Sequence, residues 1–203
     1  DAPSAETVFV GGGTPTLLPV NDLTRLLEAI RDRFGLANGA EITTEANPDT
    51  VTPEYFTSLR EAGFTRISLG MQSVVPHVLE TLERVHTPGR GLDAAHWARE
   101  AGFRHISLDL IFGTPGESMG DWEASLEAVA STPVDHVSAY SLIVEEGTRL
   151  AMQIRKGRMQ LPDDDELAEK YLAAEGYLTR LGFQNYETSN WARGQAARCR
   201  HNL

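Results

Sequence analysis

The sequence predicts an α/β fold in which repeated βα units build a parallel sheet that curls into an open barrel. Two observations carry this. First, Arg-Glu-Ala-Gly-Phe stands at 60–64 and again at 99–103, and each copy runs into a strand-like segment. Those segments, Arg66-Ile-Ser-Leu-Gly70 and His105-Ile-Ser-Leu-Asp109, begin 39 residues apart. The run reads as a helix end, a glycine past the cap and an apolar lead into a strand. A repeated helix–glycine–strand unit of this length builds a parallel sheet. A third segment, His136-Val-Ser-Ala-Tyr140, fits the same template, which sets Gly70, Asp109 and Tyr140 at equivalent strand ends. Second, the strands are one-sided. Ile67, Leu69, Ile106, Leu108 and Leu110 fall on one face; Ser68, Gly70, Gln72, Ser107, Asp109 and Ile111 fall on the other. A doubly wound sheet buries aliphatics on both faces, whereas a barrel with a small or wet interior does not.

The elements follow in order. Residues 7–10 form a short apolar strand that breaks into Gly11-Gly-Gly-Thr-Pro15. Leu23, Leu26, Leu27, Ile30 and Phe34 mark an amphipathic helix capped by Asn21 or Asp22. A strand at 41–45 leads through Ala46-Asn-Pro-Asp49 to a helix from Pro53 to Gly63. After the strand at 66–70 come a short helix around Val78, Leu79 and Leu82, and a longer one at 92–101. The strand at 105–112 ends at Gly113-Thr-Pro-Gly116, and Ser118 caps a helix through Ala130. A fifth strand at 136–142, helices at 148–156 and 163–181, and a last strand at 184–188 complete the chain.

Composition bounds the function. The 203 residues carry a net charge of −11, which argues against a nucleic-acid surface. The acidic run at 163–166 opens a helical pattern, where the helix dipole favours it. One cysteine, Cys199, excludes a disulfide framework and points to a reducing compartment, the cytoplasm. No membrane span or signal peptide is visible in the sequence. The chain starts at Asp1 without an initiator Met and stops at Leu203 just after Cys-Arg-His-Asn, as a piece of a longer protein does.

The candidate site residues sit where strands end. The glycines at 11–13 let backbone N–H groups approach a ligand, although their spacing is not that of a standard phosphate loop. Glu45 ends its strand and suits the hydroxyls of a ribose; taken alone it reads better as a solvated or turn-capping residue. Gln72 and Asp109 close theirs, and polar residues converging on one barrel mouth make a site. Arg84 follows a helix and suits a carboxylate, or plain solvent. His86 and His201 lack partners at metal-ligand spacing, so no zinc site is expected. A hydrolase is disfavoured by the lack of a Gly-x-Ser-x-Gly elbow. A Schiff-base aldolase needs a strand-end lysine, and Lys156 and Lys170 both fall in helical patterns.

In order, these motifs resemble the radical S-adenosylmethionine (SAM) family of oxygen-independent coproporphyrinogen III oxidases and their heme-chaperone relatives. The matches are Gly-Gly-Gly-Thr-Pro at 11–15, Glu45 in Glu-Ala-Asn-Pro, Arg-Ile-Ser-Leu-Gly-Met-Gln-Ser at 66–73, Arg84, Asp-Leu-Ile-Phe-Gly-Thr-Pro at 109–115, Tyr140-Ser-Leu with Glu-Glu-Gly-Thr at 145–148, and Tyr-Glu-Thr-Ser-Asn at 186–190 leading to Arg200-His-Asn202. The resemblance implies a partial (β/α)6 TIM-like open barrel, incomplete at both ends, over residues 1–145, with a helical extension and the start of a C-terminal region over 146–203. It implies that Gly12, Gly13 and Thr14 hold the methionine end of SAM and that Arg84 forks onto its carboxylate. Glu45 and Gln72 would bond the ribose, Asp109 would line the pocket, and Ile111 and Tyr140 with Ser141 would flank the adenine. The family's 4Fe–4S cluster rides on three cysteines N-terminal to the glycine loop, and the single Cys199 cannot hold one, so the resemblance implies a cluster in the intact parent protein with its ligands outside this chain.

Gly-Met-Gln-Ser and the Arg-His-Asn-Leu terminus favour the heme-chaperone branch, with heme or porphyrin and heme-accepting proteins as partners and His201 as a heme contact. The alternative is the oxidase branch, which decarboxylates coproporphyrinogen III and typically carries Asp after the Gln.

Overall fold

The computed structural model describes residues 4–84, 87 and 89–203; His86, set aside above as a zinc ligand, lies outside them. Strands β1 (Ala5–Val10), β2 (Leu36–Ala46), β3 (Arg66–Gln72), β4 (His105–Phe112) and β5 (His136–Ser141) stand side by side in chain order, all parallel. Helices α1 (Val20–Phe34), α2 (Pro53–Ala62), α3 (Pro76–Thr81), α4 (Arg90–Glu100) and α5 (Met119–Ala130) make the crossovers. After β5 come α6 (Arg149–Arg155) and α7 (Asp164–Arg180). The hairpin of β6 (Gln184–Glu187) and β7 (Asn190–Ala192) then extends the same sheet, β7 lying antiparallel beside β5.

The sheet curls into a half-barrel. Side chains from all five parallel strands, with Cys199 and Asn202, surround one internal chamber. The opposite, convex face is the hydrophobic core. There Ile67, Leu69, Ile106, Leu108, Leu110 and Val137 meet Leu23, Leu27, Phe56, Leu59, Trp122, Leu126 and Leu178 of the helices. Period-two alternation thus separates an aliphatic outside from a polar inside, as the sequence pattern requires.

Local chemistry fixes the helix ends. Thr52 accepts from Tyr55 N–H and caps α2, and Gly63 ends it at φ 106°, a conformation few side chains adopt. Ser118 and Asp121 form a reciprocal capping box on α5. The first helix departs from expectation. It begins at Val20 after Pro19, and neither Asn21 nor Asp22 caps it. Pro19 presets the entry dihedral, so the helix starts before the polar residues are reached, and Asp22 serves the first turn instead. Strand β2 starts five residues earlier than residue 41, because Leu36 pairs with Ala5. The three-residue β7 escaped the sequence reading, since so short a run carries no period of its own.

Strand register brings a second correction. Gly70 pairs with Asp109, as the shared template requires, but Tyr140 pairs with Ile111. β5 is offset by two residues, so Ser138 lies beside Asp109. An even offset keeps every side chain on its face, and staggered strands are what a curling sheet demands.

The loop after β4 is pinned from behind. Lys170 Nζ, on α7, donates to Glu117 Oε2 and to Glu117 O, both at 2.7 Å, and Gly113 N–H donates to the same Oε2 at 2.7 Å. Both side chains are buried. Lys170 is therefore a structural cation, unavailable for Schiff-base chemistry. Lys170→Ala strands the Glu117 charge in the interior and is expected to cost about 3–5 kcal/mol in chemical denaturation. A loss below about 1 kcal/mol would show that the pair does not hold this loop.

Candidate functional site

The C-terminal ends of the parallel strands open onto a cleft of about 420 Å³. Gly13, Thr14, Glu45, Gln72, Arg84, Asp109, Ile111 and Tyr140 all line it. They come from the loop after β1, from the ends of β2, β3, β4 and β5, and from the turn after α3. Of the other expected residues, Gly12 does not line the cleft itself, but its N–H donates to Glu45 Oε2 at 3.1 Å. His201 stands apart from the cleft; its exposed ring stacks on Phe9 with centroids 4.8 Å apart. Gly70, one of the strand ends marked by the shared template, also lines the cleft; Asn47, Leu142 and Ile143 line it too and were not singled out in the sequence, because loop residues of mixed type carry no pattern.

Each strand end is shaped for its position. Gly12 and Gly13 have φ of 89° and 60°, which turn the chain sharply after β1. A Cβ on Gly11 would sit 2.9 Å from the Phe9 ring and 3.1 Å from the Glu45 carboxyl, so glycine alone lets this loop pack on Glu45. Gln72 has φ 66°, left-handed and uncommon for a side chain of its size, at a bulge against β4. That twist turns the side chain back over Gly70, where a Cβ would lie 3.0 Å from Gln72 Nε2. Arg84 is exposed, its N–H held by Leu79 O at 2.9 Å just past α3.

Beneath the cleft lies the internal chamber, about 260 Å³, sharing Glu45, Asp109 and Tyr140 with it. Asp109 separates the two. Burial pushes its carboxyl up from 3.8 to about 6, and bonds from Ser68, Ser138 and Ser107 hold the shift back. Ser68 Oγ lies 2.9 and 2.7 Å from its two oxygens, and Ser107 Oγ 3.2 Å from Oδ1. Ser107 Oγ is also 2.7 Å from His136 Nδ1, and His136 Nε2 is 2.7 Å from Tyr186 Oη, which accepts the Cys199 N–H at 3.1 Å.

Burial lowers His136 to about 3, so the ring is neutral. One proton arrangement satisfies the whole chain: Tyr186 donates to Nε2, Nδ1–H donates to Ser107, and Ser107 donates to Asp109. The sequence hid this relay. Its only trace was His and Ser recurring inward on successive strands.

The two shifts make opposite stability slopes. A lowered folded value makes the His136 contribution fall away as pH drops from 6.5 towards 3. The raised Asp109 value makes its contribution present below 3.8 and lost as pH rises through about 6. Asp109→Asn is therefore expected to gain thermal stability relative to the unsubstituted protein between pH 4 and 7, while His136→Gln flattens the acid limb. Melting curves that stay parallel across this range would exclude both assignments.

No helix among the described residues is long and apolar enough to cross a membrane. Over all 203 residues the chain is 54% identical to the heme chaperone HemW of Mycobacterium tuberculosis, covering 100% of this chain and 52% of that protein. It is 38% identical over 202 residues to HemW of Bacillus subtilis, with coverages of 99% and 53%. The chain thus spans about half the length of these relatives. Among solved structures it is similar to coproporphyrinogen III oxidase (HemN) from Escherichia coli, described as a radical SAM enzyme. There the TM-score is 0.82 at 25% identity, over 95% of this chain and 44% of that one. The profile of the Radical SAM superfamily matches residues 1–129, well over half of the sequence, and with the half-barrel and its strand-end cleft this makes the chain a member of the radical SAM superfamily.

Proposed function

We propose that this chain is the SAM-binding barrel of a heme chaperone, a protein that binds heme and passes it to an acceptor in the cytoplasm. The observation that carries the SAM part is the convergence of one guanidinium, two carboxamides and two carboxyls over a glycine loop in a single cleft. The chemistry of that set suits SAM. Arg84 is an exposed fork for a carboxylate; Gly13 and Thr14 offer close backbone; Glu45 and Gln72 are acceptors and donors for ribose hydroxyls. Ile111 and the Tyr140 ring offer an apolar wall for adenine, and burial pushes the Tyr140 hydroxyl up, keeping it neutral. Glu45 gives one oxygen to Gly12, which ties the loop to the strand end.

The residues here do not fit a 4Fe–4S cluster. Cys199 is the sole thiol, burial and the Glu41 carboxylate push it up, and it is hydrogen-bonded to Glu41. Among the described residues no three His, Cys, Asp or Glu side chains form a metal-binding group. We therefore assign no reductive step to this chain.

The heme part rests on the 54% identity to a heme chaperone and on His201, whose exposed ring is accessible to a metalloporphyrin face. Heme is the cargo in this reading. The likeness to coproporphyrinogen III oxidase favours a second reading, oxidative decarboxylation of that porphyrinogen.

One set of measurements on the full-length gene product separates them. Arg84→Ala is expected to weaken SAM binding by about 1.5–3 kcal/mol in calorimetry, the worth of a charge-assisted bond; an unchanged affinity would remove Arg84 from the site. The chaperone reading expects heme binding by absorbance, loss of that binding in His201→Ala, and no conversion of coproporphyrinogen III under anaerobic conditions with SAM and reductant. Stoichiometric loss of two carboxyl groups, followed by mass, would install the oxidase reading.

A further inference from the structure

Neither Tyr186 nor His136 lines the cleft, yet together they decide where a hydrogen beside Asp109 points. Ser107 Oγ has one hydrogen and three neighbours for it: Asp109 Oδ1 at 3.2 Å, His136 Nδ1 at 2.7 Å and Ser138 Oγ at 3.5 Å. The tautomer of His136 settles the choice, and Tyr186 sets the tautomer. The Cys199 N–H can only donate, so Tyr186 Oη accepts it at 3.1 Å and turns its own hydrogen to His136 Nε2 at 2.7 Å. The imidazole proton then sits on Nδ1, where Ser107 accepts it. The Ser107 hydrogen is left for Asp109, which as a nearer and charged acceptor takes it ahead of Ser138. Without the Tyr186 hydroxyl the imidazole is free to carry its proton on Nε2. Nδ1, the nearest acceptor, then draws Ser107 away from Asp109.

We propose that Tyr186 and His136 are positioning residues: through Ser107 they present Asp109 to the cleft as a carboxylate, and that carboxylate selects a sulfonium ligand over its neutral thioether. The selection rests on the SAM-binding reading of the cleft; the relay itself does not. The charges around Asp109 leave it this task. In that reading Arg84 is engaged by the ligand's own carboxylate. Glu45 gives one oxygen to the Gly12 N–H. Arg66 lines the chamber, but Glu41 pairs its charge at 3.1 Å. His136 is neutral, and burial pushes up the Tyr140 hydroxyl and the Cys199 thiol, which keeps both neutral. Asp109 is half-buried and lines both cavities, so a ligand atom in the cleft reaches it. Burial raises this carboxyl to about 6, close enough to neutral pH that one hydrogen bond decides how much of it is charged.

The test joins carboxyl-carbon NMR of the full-length gene product, labelled at aspartate, with calorimetry of SAM and S-adenosylhomocysteine from about pH 5 to 8. The two compounds differ by the sulfonium methyl and its charge. The Asp109 signal, assigned by its loss in Asp109→Asn, is expected to titrate at about 6. Tyr186→Phe and Ser107→Ala should each raise that midpoint by about one pH unit, the worth of one hydrogen bond. At about pH 6.5 SAM affinity should then fall about threefold, with S-adenosylhomocysteine unchanged. The double variant should move no further than Ser107→Ala, because both act on one hydrogen, whereas separate structural losses would add. A midpoint that stays put in Tyr186→Phe, or additive shifts in the double variant, would overturn the relay. A preference for SAM that is the same at both ends of the pH range would overturn the selection. If neither compound binds the unsubstituted protein, the SAM-binding reading falls and takes the selection with it, while the carboxyl titration still decides the relay.

Discussion

The curl of this sheet depends on one carboxylate. Glu41, on the inner face of β2, is 8% exposed and accepts from Arg66 on the neighbouring strand. The same carboxylate takes the N–H groups of Arg200 and His201 and the Cys199 thiol. Arg66 in turn donates to the carbonyls of Ala197 and Arg198. The two side chains together hold residues 197–201 across the open side of the half-barrel. Arg200 continues outward to Glu6 on β1 at 2.9 Å, and Tyr186 anchors the far end through Cys199 N–H. Without this clasp the polar inner face would open to solvent, and His136 and Asp109 would lose the burial that shifts them. A buried pair of this kind contributes little net energy against well-packed aliphatics. Its contribution is geometric: it decides which segment lies against the inner face and in what register.

From that enclosure the site's electrostatics follow. The two-residue offset of β5 sets Ser138 against Asp109 and His136 against Ser107. Hydroxyls from three strands then surround one carboxyl, and a neutral histidine completes the line to Tyr186. All the polar hydrogens in that line point at Asp109, so its charge state is tied to the packing of Tyr186 and Cys199 from the far end of the chain. The cleft above and the chamber below share this side chain along with Glu45 and Tyr140.

Much of this was legible in the sequence, for a physical reason. The βα repeat, the one-sided strands and the polar strand ends are local patterns written by period and by glycine chemistry, and they pointed to the strand ends; the family resemblance supplied Ile111 and the binding role of Arg84, and eight of the nine expected residues now line one cleft. The chamber was not legible. Arg66 and Glu41 lie 25 residues apart and meet only through strand pairing, and their partners at 197–201 meet them only through closure of the fold. Arg66 looked like the first residue of a repeated template. The template also misled: it aligned Tyr140 with Asp109 by similarity of type, while the barrel's stagger set the true register. Helix starts failed where proline preset the backbone ahead of the expected polar cap, as at Pro19.

Gln72 carries a consequence for how this protein can be improved or worn down. Its left-handed backbone at φ 66° stores strain that glycine would not, of the order of 1 kcal/mol. Selection for robustness alone would favour glycine there, and so would a laboratory screen for heat tolerance. Such a screen would discard the carboxamide that the twist holds over the cleft. Under the SAM-binding reading proposed above, stability and ligand recognition compete at a single codon, and a thermostabilised descendant of this chain has an easy route to becoming an inert one.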